Sequence, residues 1–332
     1  MTRHWTRPRA DPAAPHAGRP APPSETVSSA IPAARRGKES TMDREGRLTV
    51  TAGGSSAIDR TNGRPGIGRH GIVLRWSVWL LVAASWVSGA IFAAYILAFF
   101  GGVALKGSGH RWNEALPGLH DAGSLLTTVA IGAHFIAGGV LLVLGPIQLI
   151  GRVRRAAPAL HRGLGRAYVV SAGVAGLGGL VFIAGKGTIG GPLMDVGFGL
   201  YGGLMVACAA MVYGHARRGD HERHRAWAIR LFALTIGSWL YRMEYGLWSV
   251  LFGSLGRGAG FSGWFDAVMV FFFYVPNLVI AETFIRVGRK EYGLAVDLAT
   301  AALLLAAAIF VTVATSIFTT SIWGPRMVSA FN

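Results

Sequence analysis

A single cysteine, Cys208, excludes any intramolecular disulfide, and its apolar setting leaves the redox compartment open. Charge is scarce as well. Asp, Glu, Lys and Arg make up 14% of the 332 residues, against about 25% in a soluble domain. A chain with so little polar surface cannot coat itself in water. The signatures of soluble catalysis are missing: no Gly-rich phosphate loop behind a strand, no HExxH pair, no nucleophilic-serine elbow. His215, His221 and His224 lack the cysteine or paired carboxylate that would complete a zinc pattern, and His215 and His221 read as solvated loop residues.

Apolar length is what the chain has. Hydrophobic residues are 52% of it and the mean hydropathy is +0.44. Seven apolar segments lie at roughly 76–100, 124–150, 166–185, 196–214, 227–251, 264–286 and 293–320. Each is near the ~20 residues that cross a hydrocarbon core, and backbone satisfaction in lipid requires them to be helices. The expected fold is therefore all-α: a polytopic transmembrane bundle of about seven spans behind a disordered N-terminal tail. Four regions follow: the basic Pro/Ala/Gly-rich tail 1–70, the first helix and its loop 71–123, a helical membrane core 124–292, and the last helix with a short C-terminus 293–332. The tail buries too little apolar surface to offset its ordering entropy, and Met42 within it is a second candidate start.

The formal charge of +16 splits as +7 over residues 1–75 and +9 over the rest. The turns at 151–166, 215–230 and 286–291 hold 5, 5 and 3 Arg/Lys, whereas the opposite set holds Lys106, Arg111, Lys186, Arg257 and Arg326. This bias places the N-terminus in the cytoplasm and, with seven spans, the C-terminus outside a bacterial cytoplasmic membrane. The charge reads as a topology signal and not as nucleic-acid binding; the partner it implies is the lipid bilayer, with the tail drawn weakly to anionic lipid.

Small residues four apart, Ala172/Gly176, Ala175/Gly179 and Gly199/Gly203, predict close packing of the third and fourth spans. Ionisable groups inside the spans form two layers. At ~1.5 Å per residue, His134 lies ~15 Å below the outer end of the second span, and Arg242 and Glu244 lie ~12 and ~9 Å below that of the fifth. These three share an outer-half layer, either a register-fixing network or a proton or ligand site. The cytoplasmic layer holds His161, Arg162, Arg166, His224, Arg225, Arg230 and Glu282, with Gln148 and Asn277 at similar depth. Arg154-Arg155 precede His161-Arg162 by the same spacing that separates Arg217-Arg218 from His224-Arg225, the pattern of a duplicated hairpin. Two histidines at matched depth on facing helices are what bis-imidazole haem ligation requires. Helix N-termini beside arginines suit a phosphate or carboxylate equally well, and plain interfacial capping is the third reading. Glu282 is the candidate partner of Arg166 or Arg230.

From His134 to Arg286 the sequence resembles the membrane-protein family called domain of unknown function 2306. The residues that carry the likeness are His134, Gly145-Pro146-Ile147-Gln148, Pro158, His161-Arg162, Gly165-Arg166, Tyr168, His224-Arg225, Trp227, Arg230, Arg242, Pro276-Asn277 and Glu282. Leu149 and Ala228 stand where members often carry Phe and Met. The resemblance implies an integral membrane protein and marks which residues matter, without naming a reaction. Three functions are open: a small-molecule, proton or cofactor site (haem b in its redox form) in the cytoplasmic layer; a transporter or permease using His134, Arg242 and Glu244; or a structural membrane protein without turnover.

Overall fold

The computed structural model describes residues 69–287 and 293–331, with two short strands before them. In the N-terminal unit, Met1–Gly63, the described residues are those strands, Thr41–Met42 and Leu48–Thr49, paired antiparallel. The remainder of the expected tail lies outside the described residues.

Residues 64–332 form the second unit, and its described residues are helical throughout apart from turns. Among the described residues, six helices are long and apolar enough to cross a membrane: Ile72–Leu105, Leu125–Leu149, Pro158–Lys186, Gly191–Arg217, Trp264–Arg286 and Leu294–Phe331. We label the segments α1 (Arg69–Tyr95), α2 (Leu125–Leu149), α3 (Pro158–Lys186), α4 (Gly191–Arg217), α5 (His221–Thr235), α6 (Gly237–Phe252), α7 (Trp264–Phe272), α8 (Val275–Val287) and α9 (Leu294–Phe318).

The chain is thus a multi-pass membrane protein. The expected continuous fifth span is corrected: it consists of α5 and α6, which part at Ile236. Gly237 stands at the break, where a Cβ would come within 2.9 Å of the Phe273 carbonyl oxygen. Phe273 itself lies at the interruption between α7 and α8, just before Pro276, whose missing N–H cannot continue the ladder. Two broken spans therefore meet at their breaks.

Helices α1 and α9 close the bundle, and both run on through a π-helical stretch, Ile96–Gly101 and Thr319–Trp323. Trp323 of the second stretch packs on Phe92 and Tyr95, which precede the first, with ring centroids 5.1 and 6.2 Å apart. The Trp112 indole donates to the Phe100 carbonyl inside the first. At this end of the bundle, Lys106 donates to the Ala330 carbonyl, Arg326 to the Glu114 carbonyl and Lys186 to the Gly118 carbonyl. The arginine-rich turns 150–157 and 218–220 lie at the other end.

Small residues bring α3 against both neighbours. A Cβ on Gly176 would stand 2.8 Å from Val206 and 3.0 Å from the Gly202 carbonyl oxygen, so α3 and α4 touch backbone to backbone. Ala172 and Ala175 are buried on the same face, as their spacing predicts. Gly199 and Gly203 do not take part, because nothing lies within 4 Å of either; Gly197 and Gly202 hold the close contacts of α4.

Candidate functional site

The predicted polar residues separate into two places. At the arginine-rich end, α3 opens on Pro158, whose missing N–H is no loss in a first turn, and His161 donates its backbone N–H to the Ala157 carbonyl. Helix α5 opens on Asp220, whose carboxylate accepts from the Arg223 N–H, and His224 donates its backbone N–H to the Asp220 carbonyl. The two histidines occupy the same position in their helices and lie within electrostatic reach of each other. The arginine pairs before them differ in setting: Arg154-Arg155 sit in a separate short helix, Gly151–Ala156, whereas Arg217 ends α4 itself.

The Glu282 carboxylate accepts from Arg230 Nε and Nη2 at 2.9 and 2.7 Å and from Arg286 Nε at 2.7 Å. Arg230 also lies over the Trp227 ring, 4.7 Å from its centroid. Arg166 is not its partner. Arg162, Arg166 and Arg225 are exposed and make no ion pair among the described residues. Asn277 is used locally, its amide donating to the Phe273 carbonyl at the α7–α8 break. The His224 Nδ1–H donates to the Val212 carbonyl at 3.0 Å, which leaves Nε2 available. His161 Nδ1 and Gln148 Nε2 are buried without a hydrogen-bond partner, and the Gln148 carbonyl oxygen stands 3.5 Å from where Gly165 would carry a Cβ, one turn beyond His161. His215, expected in solvent, is buried at 5% exposure with Nδ1 3.6 Å from the Asp220 carboxylate, because α4 continues two residues past it.

The second place is a cavity of about 920 Å³ at the opposite end of the bundle. This is near the upper end of the ~300–1,000 Å³ typical of ligand sites. His134 and Arg242 line it, as do Tyr201, Tyr241, Phe198 and Phe273. Both π-helical stretches contribute walls through Phe100 and Trp323. A π-turn widens its helix locally and recurs at functional sites.

The seat of His134 is made by small residues. Its Nδ1–H donates to the Ala175 carbonyl at 2.7 Å across the α2–α3 contact, which Gly178 and Gly179 permit by having no Cβ there. A carbonyl only accepts, so Nδ1 carries the proton, and Nε2 makes no bond among the described residues. Arg242 donates through Nη1 to the Ser238 carbonyl of its own helix, and its guanidinium lies 5.1 Å from the Phe92 ring centroid.

Glu244 does not join them: it is not among the cavity-lining residues, and its Oε2 is buried without a hydrogen bond. Asp266 matters more than its sequence setting shows. Fully buried, it accepts from Tyr245 Oη and from the N–H groups of Gly258 and Gly263 at 2.8, 2.8 and 3.0 Å. Its place one turn into α7 is the signal that could have marked it as a cap.

No curated protein and no solved structure matches the chain. Residues 131–285 match the family model described as predicted membrane protein (DUF2306), so the resemblance to that family read from the sequence holds across the stretch that contains both polar places.

Proposed function

We propose that this protein binds a small molecule inside the bundle, in the cavity beside His134 and Arg242. One observation carries the reading: a cavity of drug-like volume whose largely apolar wall holds His134 and Arg242, with Lys186, Arg257 and Arg326 also lining it. The arginine-rich end supports less, since Glu282, Asn277 and His224 are already engaged. With the basic turns on the cytoplasmic side, the cavity belongs to the outer half of the membrane.

A diazirine-bearing dodecanol, photolysed on the protein in lipid nanodiscs, tests this. Cross-links should map to cavity residues such as Phe182, Met205 and Ile322, and excess unlabelled dodecanol should displace them. Ile183→Trp, which fills the cavity and leaves the identities of His134 and Arg242 unchanged, should lower them. Labelling confined to lipid-facing positions, or not displaceable, removes the reading.

Transport is a second reading, favoured by the two broken spans. Helices α5–α6 and α7–α8 meet at Gly237 and Phe273, and the cavity begins there with Phe273 and Ser238. Discontinuous helices at a binding site are the usual device of secondary transporters.

A further inference from the structure

The wall of the cavity carries cations and no carboxylate. Arg242, Arg257, Arg326 and Lys186 line it, and neither Asp nor Glu does. Two acids lie close by, and both are engaged. Asp121 pairs with Lys186 at 3.0 Å, and Asp266 is held by Tyr245 and two backbone N–H groups. Arg257 and Arg326 rest on neutral acceptors, the Ser249 hydroxyl and the Glu114 carbonyl. No ion pair of Arg242, Arg257 or Arg326 with a carboxylate occurs among the described residues.

Arg242 lies deepest in the bundle of these cations and, like Arg257, makes a single hydrogen bond. A guanidinium has five N–H donors, and the protein occupies one group of them, Nη1, with a carbonyl of the same helix. Contact with the Phe92 face offsets part of the charge but offers no acceptor. A half-buried, unpaired charge inside the bundle is costly, and an anion with two oxygens on the fork offsets that cost. The imidazole Nε2 of His134 is a further polar atom of the same wall with no protein partner. Around them stand rings, among them Phe92, Phe135, Phe182, Phe198 and Phe318, which suit hydrocarbon.

Resting on the cavity-binding reading above, we propose that the ligand is an amphiphile with an acidic head, a carboxylate or phosphate monoester. The head sits on the Arg242 guanidinium and the hydrocarbon lies between the aromatic walls. Arg257 and Arg326 supply a positive field along the same cavity, which raises the local concentration of anions and disfavours cationic amphiphiles. A neutral ligand of the same shape would leave Arg242 uncompensated.

The test is competition against the diazirine-bearing dodecanol in nanodiscs. Dodecanoate and dodecyl phosphate should displace it at about tenfold to hundredfold lower concentration than dodecanol, the range given by a charge-assisted hydrogen bond. Dodecyltrimethylammonium should compete no better than the alcohol. Whichever acid competes best identifies the source, a free carboxylic acid or a phosphate headgroup. In Arg242→Gln the preference for acids should collapse to that of the alcohol. A measurement that needs no variant accompanies it: a dodecanoate probe with its diazirine beside the carboxylate should label Ser238, Tyr241 or Phe92 in the wild-type protein. Equal competition by acid and alcohol, or labelling by that probe confined to Gly187 and Thr188, overturns the acidic head while leaving the cavity site standing. Absence of any displaceable labelling by the alcohol or the acids overturns the cavity site itself.

Discussion

Adding one methyl group at Gly178 should destabilise the protein, although the same change at Gly173, five residues earlier on α3, should not. A Cβ at Gly178 would stand 2.5 Å from the Ala130 carbonyl oxygen and 3.3 Å from both the Cβ and the backbone nitrogen of His134. Cβ atoms do not approach heavy atoms closer than about 3.0 Å, so α2 and α3 must part by at least half an ångström along a backbone contact that cannot rotate away. Overpacking of this kind costs about 1–3 kcal/mol. Separation at this level also stretches the 2.7 Å bond from His134 Nδ1 to the Ala175 carbonyl, a net loss of about 0.5–1.5 kcal/mol. The helix propensity of alanine returns about 1 kcal/mol. The net expectation for Gly178→Ala is a destabilisation of about 1–3 kcal/mol.

Gly173 has nothing within 4 Å of its would-be Cβ, so Gly173→Ala gains the propensity and meets no clash. Reversible unfolding of the two variants and the wild type in one detergent, followed by far-ultraviolet circular dichroism, gives the comparison. Equal stability of the two variants would refute the claim that contact geometry, and not glycine content, governs the α2–α3 interface.

The Asp121 carboxyl, in the loop before α2, is held below the ordinary carboxylate range by the hydrogen bond from Lys186, by the Gly123 N–H and by the lysine charge. Its folded value being depressed, the pair contributes stability that is complete above the unfolded value of about 3.9 and is lost as pH falls through the folded one. The stability difference between wild type and Asp121→Asn should therefore be constant from neutral pH down to about 5 and shrink only in stronger acid; a difference that vanished near pH 7 would contradict the assignment. The haem form of the arginine-rich site requires the His161 and His224 rings to bracket one iron, and neither ring lines the cavity beside His134 and Arg242. We expect detergent-purified protein supplemented with haem to show no Soret band that is lost in the His161→Ala, His224→Ala double variant; such a band would restore bis-histidine ligation.

Depth was legible in the sequence and rotation was not. Hydropathy and length placed the spans, and residue counting along them set which ionisable groups share a level. Glu282 and Arg230 illustrate success: both lie near the ends of their helices at one level, and the structure joins them. Arg242 and Glu244 illustrate the limit. They stand at nearly one depth, yet two residues on a helix differ by about 200° in direction. One lines the cavity and the other does not. Which way a helix turns is set by contacts between distant segments, such as Gly178 on Ala130 and Gly237 on Phe273, and no local periodicity encodes them. The π-helical stretches are hidden for the same reason, since Ile96–Gly101 reads as an ordinary apolar run until the Trp112 indole is seen to bond to the Phe100 carbonyl within it. The cavity exists because these rotations leave Arg242 facing rings and not a carboxylate. Its chemistry is therefore a property of the packing, and substitutions at Gly178 or Gly237 should disturb it although every polar residue of its wall is unchanged.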